Sequence, residues 1–202
     1  FSFLYLDSGA LYRAVTLYAM EHGMVREDGS IDKDALVAAL PGIDIHFEYS
    51  PEGSHTFIGD QCVDSQIRTL AVSSHVSPVA VIPQVRNFVD ELLVSYGKNG
   101  RIVMDGRDIG TSVFPNADLK IFMVADDKVR AQRRLNEMVA GGQHPDFQEV
   151  LENLKSRDYI DSHRETSPLR QAEDAVVLDN SDMTLQDQMV WIKKLVEERF
   201  GK

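Results

Sequence analysis

Short apolar runs alternate with longer stretches of helical period along this chain. Residues 1–6, 102–104, 119–124 and 175–178 are mostly aliphatic, and each gives way to Asp or a small residue. They read as buried strands of a parallel sheet. Between them lie helical patterns. Pro83 opens one that carries Val85, Phe88, Val89, Leu92, Leu93 and Tyr96 on one face and closes at Gly97. Asp146 and Glu149 form a capping-box-like start before Phe147, Val150, Leu151 and Leu154. Thr184 caps a last helix bearing Met189, Ile192, Leu195 and Val196. Strands alternating with helices predict a doubly wound α/β fold. One region departs from this rhythm. Residues 43–49 and 55–63 alternate apolar with polar positions around Ser50-Pro51-Glu52-Gly53-Ser54. That predicts an antiparallel hairpin on a separate small lobe at about residues 28–82.

Composition narrows the partners. Apolar residues make up 43% and charged residues 26%, and the net charge is -11. So acidic a chain has no surplus of Lys and Arg to displace counterions from a nucleic-acid backbone, whereas a small phosphate ligand needs only a few local arginines. The single cysteine, Cys62, excludes an intramolecular disulfide framework and fits a reducing compartment. It sits in the alternating hairpin and reads as structural. No apolar run reaches the roughly 18 residues of a membrane span. The six histidines show no metal-ligand spacing.

Four segments carry candidate chemistry. In Leu6-Asp7-Ser8-Gly9-Ala10-Leu11-Tyr12-Arg13 a strand ends and a helix starts near Ser8, so free N–H groups attract an anion and Arg13 lies one turn in. The same pattern describes a plain capped helix with an exposed arginine. Ile102-Val103-Met104-Asp105-Gly106-Arg107-Asp108 is an apolar strand ending in Asp, the Walker B pattern in which a carboxylate orients Mg²⁺ or its water shell. Arg107 and Asp108 then project at the carboxyl end of the sheet, where open α/β folds bind ligands. Strands ending in Asp are also common without a ligand. Arg130, Arg133 and Arg134 share one helical face, which suits either solvent or a polyphosphate. In the last segment the stripe Phe147, Leu151, Leu154 turns charged at Asp158 and Asp161, and Arg157, Asp161 and Arg164 fall on one side. These residues form either a run of surface salt bridges or a ribose and phosphate site. Ser77 and Arg86 carry no signal alone; an arginine such as Arg86 usually lies on the surface of its helix.

Taken together these segments resemble the bacterial cytidylate kinases. D-S-G-A-L-Y-R at 7–13, Q-I-R-T at 66–69, P-x-V-R at 83–86, D-G-R-D-I-G-T-x-V-F-P at 105–115, K-I-F at 120–122, the arginine helix at 130–134, R-D-x-x-D-x-x-R at 157–164 and A-V-V-L-D at 175–179 come in that family's order and spacing. The resemblance spans essentially the whole chain. It implies a P-loop kinase core with helices on both faces of a parallel sheet (1–27 and 83–202), a helical lid at about 126–165, and a nucleoside-monophosphate-binding insert at 28–82. It implies transfer of a phosphoryl group from ATP, with Mg²⁺, to CMP or dCMP. Ser77, Arg86 and Asp108 are then expected to read the cytosine edge. Ser8, Arg13, Arg107 and Arg164 are expected to hold the CMP phosphate, and Arg157 and Asp161 to contact ribose. Arg130, Arg133 and Arg134 belong to the lid over ATP. Arg107, Arg130, Arg133, Arg134 and Arg157 are the expected catalytic residues, and Asp105 reaches the metal through water. A cytoplasmic monomer of pyrimidine metabolism, bound to neither nucleic acid nor membrane, is the expected setting.

One family feature is missing from the sequence. The G-x-x-x-x-G-K-[ST] loop that wraps ATP phosphates should precede the D-S-G stretch, and nothing in the 202 residues matches it. Gly97-Lys98 is followed by Asn99 at a helix end, and Gly201-Lys202 by no Ser or Thr. Since the acceptor-site residues are all present and Phe1 is not a methionine, the loop is expected to lie upstream of Phe1. Ile160 stands where some relatives carry another arginine. The alternatives are a kinase for UMP or AMP, and a catalytically dead nucleotide-binding module without the Walker A loop.

Overall fold

The computed structural model describes residues 3–51, 53–98 and 100–201. Phe1 and Ser2 of the first expected strand, Glu52 of the expected hairpin turn and the terminal Lys202 lie outside the described residues. In chain order the elements are β1 (Leu4–Asp7), α1 (Ser8–Glu21), α2 (Lys33–Ala39), β2 (Ile45–Ser50), β3 (Gly53–Ile58), β4 (Gln61–Cys62), α3 (Asp64–Ile67), α4 (Leu70–Ala80), α5 (Pro83–Gly97) and β5 (Ile102–Asp105). A π-helical turn, Ile109–Val113, follows. Then come β6 (Ile121–Val124), α6 (Asp127–Ala140), α7 (Phe147–His163), β7 (Val176–Asp179) and α8 (Leu185–Phe200). The chain is mixed α/β, with parallel strands joined through helices, as the alternating pattern predicts. None of the described helices is long and apolar enough to cross a membrane.

The chain divides into two compact units, Phe1–Phe114 with Ser156–Arg170, and Pro115–Lys155 with Gln171–Lys202. In the first, β1 and β5 pair in parallel with Asp7 opposite Asp105, so two carboxylates end neighbouring strands. The expected hairpin forms as β2 and β3, antiparallel from Ile45↔Ile58 to Ser50↔Gly53, and β4 adds a short third strand through Phe57↔Cys62. Its apolar side joins the same core as the helices: Ile45 and Phe47 are buried with Leu6, Leu11, Val15, Val76, Val85, Val89 and Leu93. The apolar stripe of α5 runs between its expected ends, Pro83 and Gly97. In the second unit β6 and β7 pair in parallel from Ile121↔Val176 to Val124↔Asp179.

Among the described residues Leu6 is fully buried, while its neighbour Tyr5 is 48% exposed and Val103 on β5 is 49% exposed. Alternate side chains point to opposite faces of a pleated strand, so Tyr5 and Val103 share one face of the β1–β5 pair and Leu6 lies on the other. The hairpin also gathers side chains that lie apart in sequence. Ligand atoms of His55, Cys62 and Asp64 all lie within 4.8 Å of one another, and Asp64 accepts from both His55 Nδ1 and the Thr56 amide at 2.9 Å. Cys62 itself is exposed.

Helix ends follow the capping signals. Asp7 caps α1 by accepting from the Ala10 amide at 3.0 Å, and Thr184 and Asp187 form a reciprocal capping box on α8. Thr184→Ala is expected to lower stability by about 1 kcal/mol. Thermal or denaturant unfolding of the two proteins would check it.

Candidate functional site

Five buried polar side chains meet in the first unit. Arg86, on α5 and only 1% exposed, donates through Nη2 to Asp108, the residue just before the π-helical turn. Asp108 also accepts from Arg164 Nη2 at 3.0 Å on its other oxygen. Arg164 lies 3.6 Å from Asp161 one turn earlier. Asp161 accepts from Ser77 Oγ at 3.3 Å and pairs with Arg107 at 3.3 Å. The chain of contacts thus runs Arg86, Asp108, Arg164, Asp161, Ser77. Arg107, 42% exposed, closes the outer side. Such ions are stripped of water at large cost, so each must find an opposite charge. Burial, and then the neighbouring Arg86 charge, pull the Arg164 guanidinium below its ordinary value.

Arg86 is held on several sides. Nη1 donates to the Ala80 carbonyl at 3.3 Å, and its guanidinium carbon lies 5.5 Å from the centre of the Tyr12 ring. Its Nε has no hydrogen-bond partner among the described residues. A buried donor left in this way carries a desolvation cost that a ligand acceptor would remove.

A second cluster sits where β1 and β5 end. Ser8 Oγ donates to the Asp105 carbonyl at 2.7 Å, which ties the start of α1 to the end of β5. Gly106 permits that approach. A Cβ there would overlap Ser8 Oγ and come within 2.8 Å of Ile109 Cγ1. The Asp105 carboxylate accepts from the Tyr5 hydroxyl at 2.9 Å. Burial first, then the Asp7 charge beside it, push the Asp105 carboxyl above its usual range, against the opposing pull of Tyr5 and Arg107. Asp7 faces Arg68 at 3.4 Å. Arg13 donates to the Ile67 carbonyl at 3.1 Å and to Ser73 Oγ at 2.8 Å, both on the segment that leads into and forms α4.

The structure therefore brings Ser77, Arg86, Arg107, Asp108, Asp161 and Arg164 together, with Ser8 beside Asp105. Arg157 is half-buried on α7. In the second unit the three arginines of α6 do different things. Arg130 pairs with Asp127 at 2.5 Å and Arg134 with Glu137 at 3.2 Å. Arg133 instead reaches the loop after β7, donating to Asn180 Oδ1 and to the carbonyls of Asn180, Ser181 and Met183 at 2.7–3.4 Å. Sequence reading passed over two residues at the site. Tyr12 stood in the D-S-G-A-L-Y-R stretch without a role, and Asp90 lies one helical turn beyond Arg86. An acid at i+4 from a buried arginine is the signal that would have found it.

A family model described as cytidylate kinase matches residues 1–198. A cytidylate kinase of Bacteroides thetaiotaomicron is 48% identical over 202 residues, covering 99% of this chain and 86% of that protein. One of Phocaeicola vulgatus is 50% identical over 192 residues, 94% of this chain and 83% of its own. One of Flavobacterium johnsoniae is 43% identical over 198 residues, 97% and 86% respectively.

Two substitutions test these electrostatics. A carboxyl raised in the folded state binds its proton more tightly there than in the unfolded chain. Its contribution to stability is full at low pH and is lost as pH rises through the raised value. Asp105→Asn is therefore expected to unfold at a higher temperature than the parent near pH 7, with the gain vanishing as pH falls toward about 4. Melting curves across that range would show it. Arg133→Ala leaves several loop acceptors without their donor and is expected to cost about 2 kcal/mol in denaturant unfolding.

Proposed function

The chain belongs to the cytidylate kinase family, and we propose that the buried Ser77–Arg86–Asp108–Asp161–Arg164 cluster is where it receives CMP or dCMP for phosphoryl transfer from ATP. The products are CDP or dCDP and ADP. The observation that carries the assignment of this site is the buried Arg86–Asp108 pair with an Arg86 Nε lacking a partner among the described residues. Cytosine presents an amino donor at N4 and acceptors at N3 and O2. Asp108 accepts from the amino group, Arg86 donates to the acceptors, and Ser77 completes the edge. Uracil places an acceptor where cytosine has a donor and would face Asp108 unpaired, which is the kind of mismatch a polar site rejects strongly.

In the same reading Ser8, Arg13, Arg107 and Arg164 hold the phosphate of CMP, and Arg157 and Asp161 contact its ribose. Residues 28–82 form the monophosphate-binding insert. Residues at about 126–165 form a lid whose Arg130, Arg133 and Arg134 face ATP, and the remainder is the kinase core. Arginines placed around transferring phosphate neutralise charge as it builds and align donor with acceptor. Mg²⁺ takes oxygen ligands, and the carboxylate of Asp105 with Asp7 beside it offers the right donor type. A cation there offsets the two neighbouring negative charges, and when bound it neutralises phosphate charge; Asp105 would hold it through water. The lone cysteine agrees with a cytoplasmic setting. The partners are small nucleotides, and the chain acts as a monomer.

Calorimetric titration with CMP, dCMP, UMP and AMP tests the reading, together with ADP release from ATP in the presence of each. CMP is expected to bind at least about tenfold tighter than UMP, and Asp108→Asn, whose amide can donate to uracil, to narrow that gap. Equal binding of UMP or AMP, or no binding of CMP, overturns it.

A further inference from the structure

Arg86 can tell one base from another only if its guanidinium keeps a fixed direction. Two of its nitrogens are fixed along their edges, Nη1 by the Ala80 carbonyl and Nη2 by Asp108. Asp108 is shared with Arg164, so it does not hold Arg86 alone. A third contact comes from the Tyr12 ring, 9% exposed on α1: the guanidinium carbon lies over the ring, 5.5 Å from its centre. Tyr12 is itself tethered. Its hydroxyl donates to Asp90 Oδ1 at 3.5 Å, and Asp90 sits one turn along α5 from Arg86. Ring and guanidinium are thus braced from the same helix.

We propose that Tyr12 is a positioning residue for base discrimination, acting through Arg86 and needing no contact with substrate. The proposal rests on the reading of Arg86 as a reader of cytosine. A guanidinium over an aromatic face is attracted by the ring's negative π-surface, and the attraction strengthens where water is excluded. Here it also sets which way the free Nε–H points. A leucine keeps the position apolar but is smaller and offers no such face, so the guanidinium shifts and its donors serve cytosine and uracil more evenly. A phenylalanine keeps the face and loses only the tether to Asp90.

The test uses Tyr12→Leu and Tyr12→Phe beside the parent protein, with two readouts. The first is the NMR signal of the Arg86 Nε–H in the ligand-free protein, assigned by its loss in Arg86→Lys. The second is the ratio of UMP to CMP dissociation constants from calorimetry. In Tyr12→Leu the signal is expected to leave its ring-shifted position and broaden, and the ratio to fall about tenfold. Tyr12→Phe is expected to restore both, the ratio to within about threefold of the parent. Should Tyr12→Leu fail to fold, Tyr12→Met takes its place. A melting temperature that drops while the ratio and the Arg86 signal stay put makes Tyr12 a packing residue and overturns the proposal. A parent protein with no preference for CMP overturns the specificity claim. In that case a displaced Arg86 signal in Tyr12→Leu locates the failure in the base-reading assignment and not in the bracing.

Discussion

The constraint on which the site depends is the burial of Arg86. A guanidinium cannot be neutralised by losing its proton, so once out of water it must be matched in place. Asp108 supplies the match, and Asp108 is in turn shared with Arg164. The consequence is topological. The turn after β5, the body of α5 and the residue just past α7 must meet at one point, although they are distant in sequence. An ion network of this kind is weak evidence for stability, since hydrophobic residues of the same volume often hold a fold as well. It is stronger evidence for a surface made to recognise something polar, because its members fix one another's directions.

This is also where the sequence was least informative. The strand and helix pattern along the chain follows from local rules, and Pro83, Gly97, Thr184 and the residue 43–63 alternation sit where the elements begin, end or turn. Burial of a polar residue is another matter, and Arg86 shows why. In a helical wheel it is one polar residue among apolar ones, and its position at the bottom of the site depends on Asp108, 22 residues away, and on Arg164 beyond that. A family motif can mark such a residue, whereas periodicity cannot. Tyr12 escaped for a related reason: an aromatic in an apolar helix face looks like core, and its second task is visible only once Arg86 lies against it.

Arginines with the same spacing can also have different work. Arg130, Arg133 and Arg134 present one pattern in sequence, but Arg133 is bound to the loop after β7 by four acceptors. A charge that reads as a phosphate ligand thereby helps fix the loop that carries Asn180. The two roles are compatible only if the loop itself lies near the nucleotide, and the hydrogen-bond pattern makes loop order a condition for placing that arginine.

The acidic balance of the chain fits this picture. In an acidic chain the arginines of the site are met by carboxylates of the same unit, and among the described residues Arg86 Nε is left without a partner. An anion alone gains little there, since it must displace a carboxylate already in place. A ligand that brings a phosphate for the outer arginines together with a hydrogen-bonding edge for Asp108 and Arg86 replaces both halves at once. The strand ends beside it show the opposite balance. Parallel register sets Asp7 against Asp105, and while Asp7 is met by a helix N-terminus and Arg68, Asp105 is raised first by desolvation and then by Asp7, against Tyr5 and Arg107. The first cluster is thus matched by its own charges, while the second sets two carboxylates side by side. The two are linked through a single short segment, 105–108, whose Gly106 admits Ser8 and whose neighbours Asp105 and Asp108 belong to one cluster each.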